Sequence, residues 1–204
     1  MNKICIIDYG SGNVQSVASS LKILNINFVI SSKNSDIIDS SHLILPGVGS
    51  YKSTMNKLKK NVDIVNLENE VLIKKKPILG ICVGMQIFSN YGFEFEKVEG
   101  LGWIGGEVKK IETKMILPHI GWNTVDINKD NILIDKKFTR EFYFLHSYYF
   151  NCKNIDSVVG VTKYHKKFPT IINYNNIFGV QFHPEKSQSD GLKLIKNFSK
   201  FKLC

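Results

Sequence analysis

The run PILGICVGMQIF, Pro77 to Phe88, constrains the fold of this 204-residue chain more than any other segment. A continuous apolar stretch behind a proline suits a strand buried on both faces of a parallel sheet. It ends in Gly80-Ile81-Cys82-Val83-Gly84, and GMQIFSN restarts a helical pattern directly behind it. A residue flanked by glycines two before and two after has the form of a nucleophile elbow, a tight strand-to-helix turn that lifts the central side chain clear of the sheet. The partial positive charge of a helix N-terminus favours ionisation of a thiol there, and the thiolate is the nucleophile. The Val83 amide can then donate to an oxyanion. The other reading of Cys82 is a small buried residue, because free cysteine is among the most buried types. The elbow alone leaves both open.

Around this run the first half alternates. KICIID reads as a strand, YGSGN as a glycine-bearing turn, and Val14, Val17, Ala18, Leu21 and Leu24 repeat with the spacing of one helical face. NFVIS and HLILPG predict two more strands, and helical segments follow from about Tyr51 to Lys75. Beyond Gly100 the segments WIGGEVKKI, GWNTVDI, EFYFLHSYYF, SVVGVTKY, TIINYNN and IFGVQFHPE are β-rich, with a turn at Tyr174 to Asn176. The tail from Ser189 to Phe201 is helical by pattern, with Leu192, Ile195 and Phe198 on one stripe. The alternation predicts a doubly wound α/β fold with ligands beyond the carboxyl ends of its strands, where Cys82 and the LPGVG loop both fall. A hydrophobic content of 43% is enough for one core, so residues 1–204 are expected to form a single domain.

A thiolate that performs acyl transfer needs a base, and the base needs an orienting partner. VQFHPEK offers both: Pro184 favours an extended or turned backbone at His183 and spaces His183 from Glu185 by two residues. His42 and His165 stand beside Ser or Lys in surface-like contexts, whereas His119 in LPHIGWN and His146 in FLHSYYF are better suited to shaping a pocket. No histidine has a metal-ligand spacing to a second ligand, so no metal is expected.

The four cysteines, Cys5, Cys82, Cys152 and Cys204, are far apart and without a CxxC pair, so neither a zinc site nor a disulfide framework is expected. No stretch has the apolar length of a membrane span or the layout of a signal peptide, which points to a cytoplasmic protein. The net charge of +9 comes from dispersed lysines without aromatic interleaving. Solvated faces explain it better than a nucleic-acid groove, and a basic patch facing an anionic substrate or a partner stays open.

GxCxG, the downstream FHPE and the α/β pattern between them resemble the class I glutamine amidotransferases. IIDYGSGN, LPGVGSY, PHIGWN, FLHSYYF and GVQFHPEKSQSDGLKLIKNF are similar, within that family, to the glutaminase subunit of imidazole glycerol phosphate synthase, and span Ile6 to Phe198. The resemblance implies a flavodoxin-like, largely parallel sheet flanked by helices, with an added antiparallel region in the second half. It implies a triad of Cys82, His183 and Glu185, an oxyanion hole from the Val48–Gly49 peptide and the Val83 amide, and glutamine held by Gln86, Ser147 and Tyr148. No cofactor is implied. A (β/α)8-barrel cyclase partner is, forming a heterodimer that receives the ammonia, with an oxyanion loop that is inactive until the partner reorganises it. Trp122 and Lys186 would lie near the docking face; the other reading of Trp122 is a core aromatic. GLGWIGGEV departs from the family's pattern, with Trp103 and Gly105 where Leu and Pro are common. Two alternatives remain: a paralogous glutaminase feeding a surface-sugar amidotransferase, and a cysteine hydrolase of a related α/β fold.

Overall fold

The computed structural model describes residues 3–135 and 138–202; Cys204 lies outside them. Its strands are β1 (Ile4–Ile7), β2 (Phe28–Ser31), β3 (His42–Gly47), β4 (Ile78–Cys82), the short β5 (Tyr91–Gly92) and β6 (Val98–Glu99), β7 (Gly106–Lys110), β8 (His119–Thr124), β9 (Asp126–Ile127), β10 (Glu141–His146), β11 (Tyr148–Cys152), β12 (Val158–Tyr164), β13 (Lys166–Tyr174) and β14 (Ile177–Val180). Among the described residues six α-helices accompany them: α1 (Val14–Ile23), α2 (Asn34–Asp39), α3 (Tyr51–Asn61), α4 (Ile64–Glu68), α5 (Val83–Gln86) and α6 (Gln188–Ser199).

Eight strands form the central sheet in the order β2-β1-β3-β4-β14-β13-β12-β9. From β2 to β14 the neighbours are parallel, and the remaining pairs are antiparallel. Every residue of β1, β3, β4 and β14 is buried, which is why these strands read as unbroken apolar runs rather than alternating ones. The β13–β14 hairpin turns at Asn175 and Asn176, with Tyr174 paired to Ile177 and Asn175 at φ +53°. Two smaller sheets lie apart from the large one, an antiparallel β8–β10 ribbon and a four-stranded sheet in the order β11-β7-β5-β6.

Two expectations need correction. His42 is buried rather than surface-like: it begins β3, its Nε2 lies 2.8 Å from the Phe201 carbonyl oxygen, and its ring meets Phe198 edge-on. The helix behind Cys82 is a single turn, ending after Gln86, because the chain must turn back toward β5 and pack Phe88 against Trp103. One turn sums few peptide dipoles, so what it contributes at Cys82 is its free amides rather than a macrodipole. The departure at Trp103 is a packing feature: the ring is buried, stacked on Phe88, and its Nε1 donates to Glu68 Oε1 at 3.4 Å.

Candidate active site

Cys82 ends β4, between β3 and β14, at φ +54° and ψ −115°. That backbone is sterically costly for a residue with a Cβ and persists only where its surroundings over-determine it. The flanking glycines do so. A Cβ on Gly84 would lie 2.0 Å from the Leu45 carbonyl oxygen, and one on Gly80 would lie 2.7 Å from the Gly84 carbonyl oxygen. The elbow is thus pressed directly onto β3, and only glycine fits the contact.

β14 runs parallel to β4 and delivers the chain to the same sheet end, with Val180 level with Ile81. Three residues on, His183 adopts an extended backbone (φ −101°, ψ 94°) and Pro184 opens a 3₁₀ turn that returns Glu185 beside it. His183 Nδ1 donates to Glu185 Oε1 at 2.9 Å, leaving Nε2 for the Cys82 sulfur. Both side chains of the His183–Glu185 pair are almost wholly buried. Burial works against the imidazolium, but hydrogen bonds to and charges of Cys82 and Glu185 outweigh it and push the His183 pKa up to about 10.

Several neighbours hold this arrangement. Asn13 Nδ2 donates to Glu185 Oε1 at 3.3 Å. The His183 amide donates to the Tyr143 carbonyl at 2.9 Å, and the Ser187 hydroxyl donates to the His183 carbonyl while accepting from the Tyr143 amide. Gln181 directs its Nε2 at the Cys82 sulfur from 3.6 Å and accepts from Gln86 Nε2 at 2.9 Å. Gln181 and Ser187 lie inside the VQFHPEKS run, yet no sequence signal singles them out, because their role depends on which strands become neighbours.

A cavity of about 440 Å³ opens over Cys82, lined among others by Val48, Gly49, Val83, Gln86, His146, Ser147, Tyr148 and His183. All the predicted oxyanion and glutamine residues therefore line this one cavity. Gln86 spends both amide protons on Gln181 Oε1 and the Tyr148 carbonyl, which leaves its own carbonyl oxygen for a ligand. Gly49 stands at φ +95° with open space around it, and Val48 is 39% exposed. The Ser11 hydroxyl donates to the Val48 carbonyl at 3.3 Å.

Trp122 is not a core aromatic. It is 48% exposed on β8, opposite Tyr143 of β10, and Ile120 and Leu145 form the next exposed pair. Lys186 lies 5.7 Å above the Tyr143 ring. An apolar face thus adjoins the cavity, to which Leu145 contributes on both sides. Among the described residues no cluster of His, Cys, Asp or Glu could hold a metal ion, and no helix is long and apolar enough to cross a membrane.

Residues 5–201 match the model of the class-I glutamine amidotransferases, and the chain belongs to that family. Its curated relatives narrow the class. It is 46% identical over 203 residues to imidazole glycerol phosphate synthase subunit HisH 1 of Campylobacter jejuni, covering 97% of this chain and 99% of the relative. The Leptospira borgpetersenii subunit HisH is 42% identical over 202 residues, with 96% and 98% covered. Among solved structures, PurLQS from Thermotoga maritima superposes with a TM-score of 0.73 at 18% identity, covering 97% of each chain. A glutamine amidotransferase superposes with a TM-score of 0.72 at 14% identity, covering 96% of each. The mixed, mostly parallel sheet flanked by helices is the fold these share.

Proposed function

We propose that this chain is the glutaminase subunit of an imidazole glycerol phosphate synthase, hydrolysing glutamine through Cys82, His183 and Glu185 and passing the ammonia to a cyclase subunit. The observation that carries the chemistry is the buried Cys82–His183–Glu185 alignment at the floor of the cavity. The acceptor rests on the curated relatives, named as subunits of that synthase over nearly their whole length.

In this reading the imidazolium of His183 keeps the Cys82 sulfur anionic. The sulfur attacks the side-chain carbonyl carbon of glutamine, and the C=O electron pair moves onto oxygen. The Val83 and Gly49 amides take up that charge, once the Val48–Gly49 peptide faces the site. Collapse breaks the C–N bond, and His183 gives its proton to the departing nitrogen, which leaves as ammonia. The now neutral imidazole draws a proton from water, the hydroxide cleaves the thioester, and glutamate leaves with the thiolate restored. Glu185 holds the tautomer throughout, while Gln86, Ser147 and Tyr148 grip the amino-acid end.

Ammonia released into water protonates and loses its nucleophilicity, which favours direct transfer. The exposed face of Ile120, Trp122, Tyr143, Leu145 and Lys186 is suited to a (β/α)8-barrel cyclase partner: aromatics at its centre, a cation at its rim, and the cavity beside it. One continuous core among the described residues and the extent of the family match support reading residues 1–204 as one domain; the biosynthetic naming of the relatives supports a place in the cytoplasm.

The test is reconstitution. The purified chain, mixed with the cyclase subunit from the same cell, is expected to convert glutamine and a phosphoribulosyl-formimino nucleotide to imidazole glycerol phosphate, with one glutamate per turnover. Stimulated glutamate release without that product, or stimulation only by a sugar amidotransferase, overturns the acceptor.

A further inference from the structure

The triad accounts for one of three buried histidines near the cavity; His119 and His146 remain. They face each other across the β8–β10 ribbon as directly paired residues, with His119 Nδ1 3.1 Å from His146 Nε2. His146 Nδ1 lies 2.8 Å from the Tyr148 carbonyl oxygen, and His119 Nε2 lies 3.1 Å from Asn123 Nδ2. Asn123 Nδ2 also donates to the Lys163 carbonyl, while its Oδ1 accepts from the Thr124 amide.

The ends of this chain fix its direction. A carbonyl only accepts, so His146 must carry its proton on Nδ1 and offer the Nε2 lone pair. His119 must then donate from Nδ1 and accept on Nε2, and the Asn123 amide nitrogen is already directed there. Every bond runs one way only, and it holds for neutral rings. Burial keeps them neutral, pushing His119 down to about 4 and His146 to about 3. His119 is further clamped by stacking on Tyr164 and Phe144, at ring separations of 4.1 and 4.8 Å.

We infer that His119, which does not line the cavity, is a positioning residue for substrate: through His146 it fixes the Tyr148 carbonyl and with it the Ser147–Tyr148 wall. The same carbonyl takes a second bond from Gln86 Nε2 at 2.8 Å, so two predicted glutamine contacts share one anchor. Loss of the His119 donor would strand the buried His146 acceptor and loosen that anchor without touching Cys82, His183 or Glu185. The inference rests on reading the cavity as a glutamine site.

His119→Phe keeps the ring and its stacking but cannot donate, whereas His119→Asn restores a donor close to the place of Nδ1. Glutamate release by the purified chain, alone and with the cyclase subunit, is expected to show KM raised about tenfold in His119→Phe, with kcat within about twofold. His119→Asn should return KM to within about threefold of wild type. Long-range 1H–15N spectra of the wild type, which need no variant to fold, should show both rings as neutral Nδ1–H tautomers. An Nε2–H tautomer at either ring, or an unchanged KM in His119→Phe, overturns the inference alone. A wild type that releases no glutamate overturns the glutaminase reading and this inference with it.

Discussion

The two sides of the cavity floor come from neighbouring strands and are built in opposite ways. At the end of β4 the elbow is locked: Gly80 and Gly84 leave no room for one more carbon, and Cys82 is held in a costly conformation by β3. At the end of β3 the Val48–Gly49 peptide is open, with Gly49 in left-handed backbone, no atom of the described residues near its missing Cβ, and the Val48 carbonyl accepting from the Ser11 hydroxyl at 3.3 Å. On the proposed function, the nucleophile's side is preorganised, while the Val48–Gly49 side has room around it for the peptide to turn. An enzyme built this way can withhold glutamine hydrolysis until something settles the loop, which suits a chain whose ammonia is wasted without an acceptor.

The largest effect expected on the locked side is from Cys82→Ala. It should cut glutamate release at least about a thousandfold with the partner present, while thermal unfolding shows a retained fold. Gly84→Ala should cost about 3 kcal/mol of stability in urea titration, because backbone must yield to a 2.0 Å contact. At Gly49, alanine finds open space and loses only the left-handed preference, about 1 kcal/mol, so its defect should be in glutaminase rate. Equal destabilisation by the two would break the contrast. Trp122→Ala should weaken partner stimulation with a loss of about 2 kcal/mol in apparent affinity and leave the unstimulated rate unchanged.

A separate effect concerns pH. His119 and His146 have folded-state pKa values below the ordinary histidine value near 6.5. The unfolded chain therefore binds more protons below that pH, and the stability of these groups, full above about 6.5, is lost as pH falls toward about 4 and about 3. Each contributes up to about 1.4 kcal/mol per pH unit in that window. His119→Phe should flatten the urea-derived stability profile between pH 6 and about 4 by up to that slope; an unchanged profile would show that His119 is not held neutral.

Much of the fold was legible because buried parallel strands leave unbroken apolar runs: ICII, HLILPG, PILGIC and IFGV each lie where the sequence puts a strand. The elbow was legible because its glycines answer a local steric demand. The length of α5 was not, since GMQIFSN keeps a helical pattern that the tertiary contact of Phe88 with Trp103 overrides. The burial of His42 is hidden for a related reason: its neighbour Ser41 looks like surface, and Phe198 and the Phe201 carbonyl come to the ring from the far end of the chain. Gln181, Ser187 and the His119–His146 pair acquire their roles from strand order and register, which the local pattern does not carry.

The central claim is that the sulfur of Cys82 receives the glutamyl group. The direct measurement is acid quenching of the complex during turnover of isotopically labelled glutamine, followed by mass spectrometry of the peptides. The account predicts a glutamyl thioester on the peptide carrying Cys82, absent from Cys82→Ala. Label on any other residue, or undiminished glutamate release by Cys82→Ala, would contradict it.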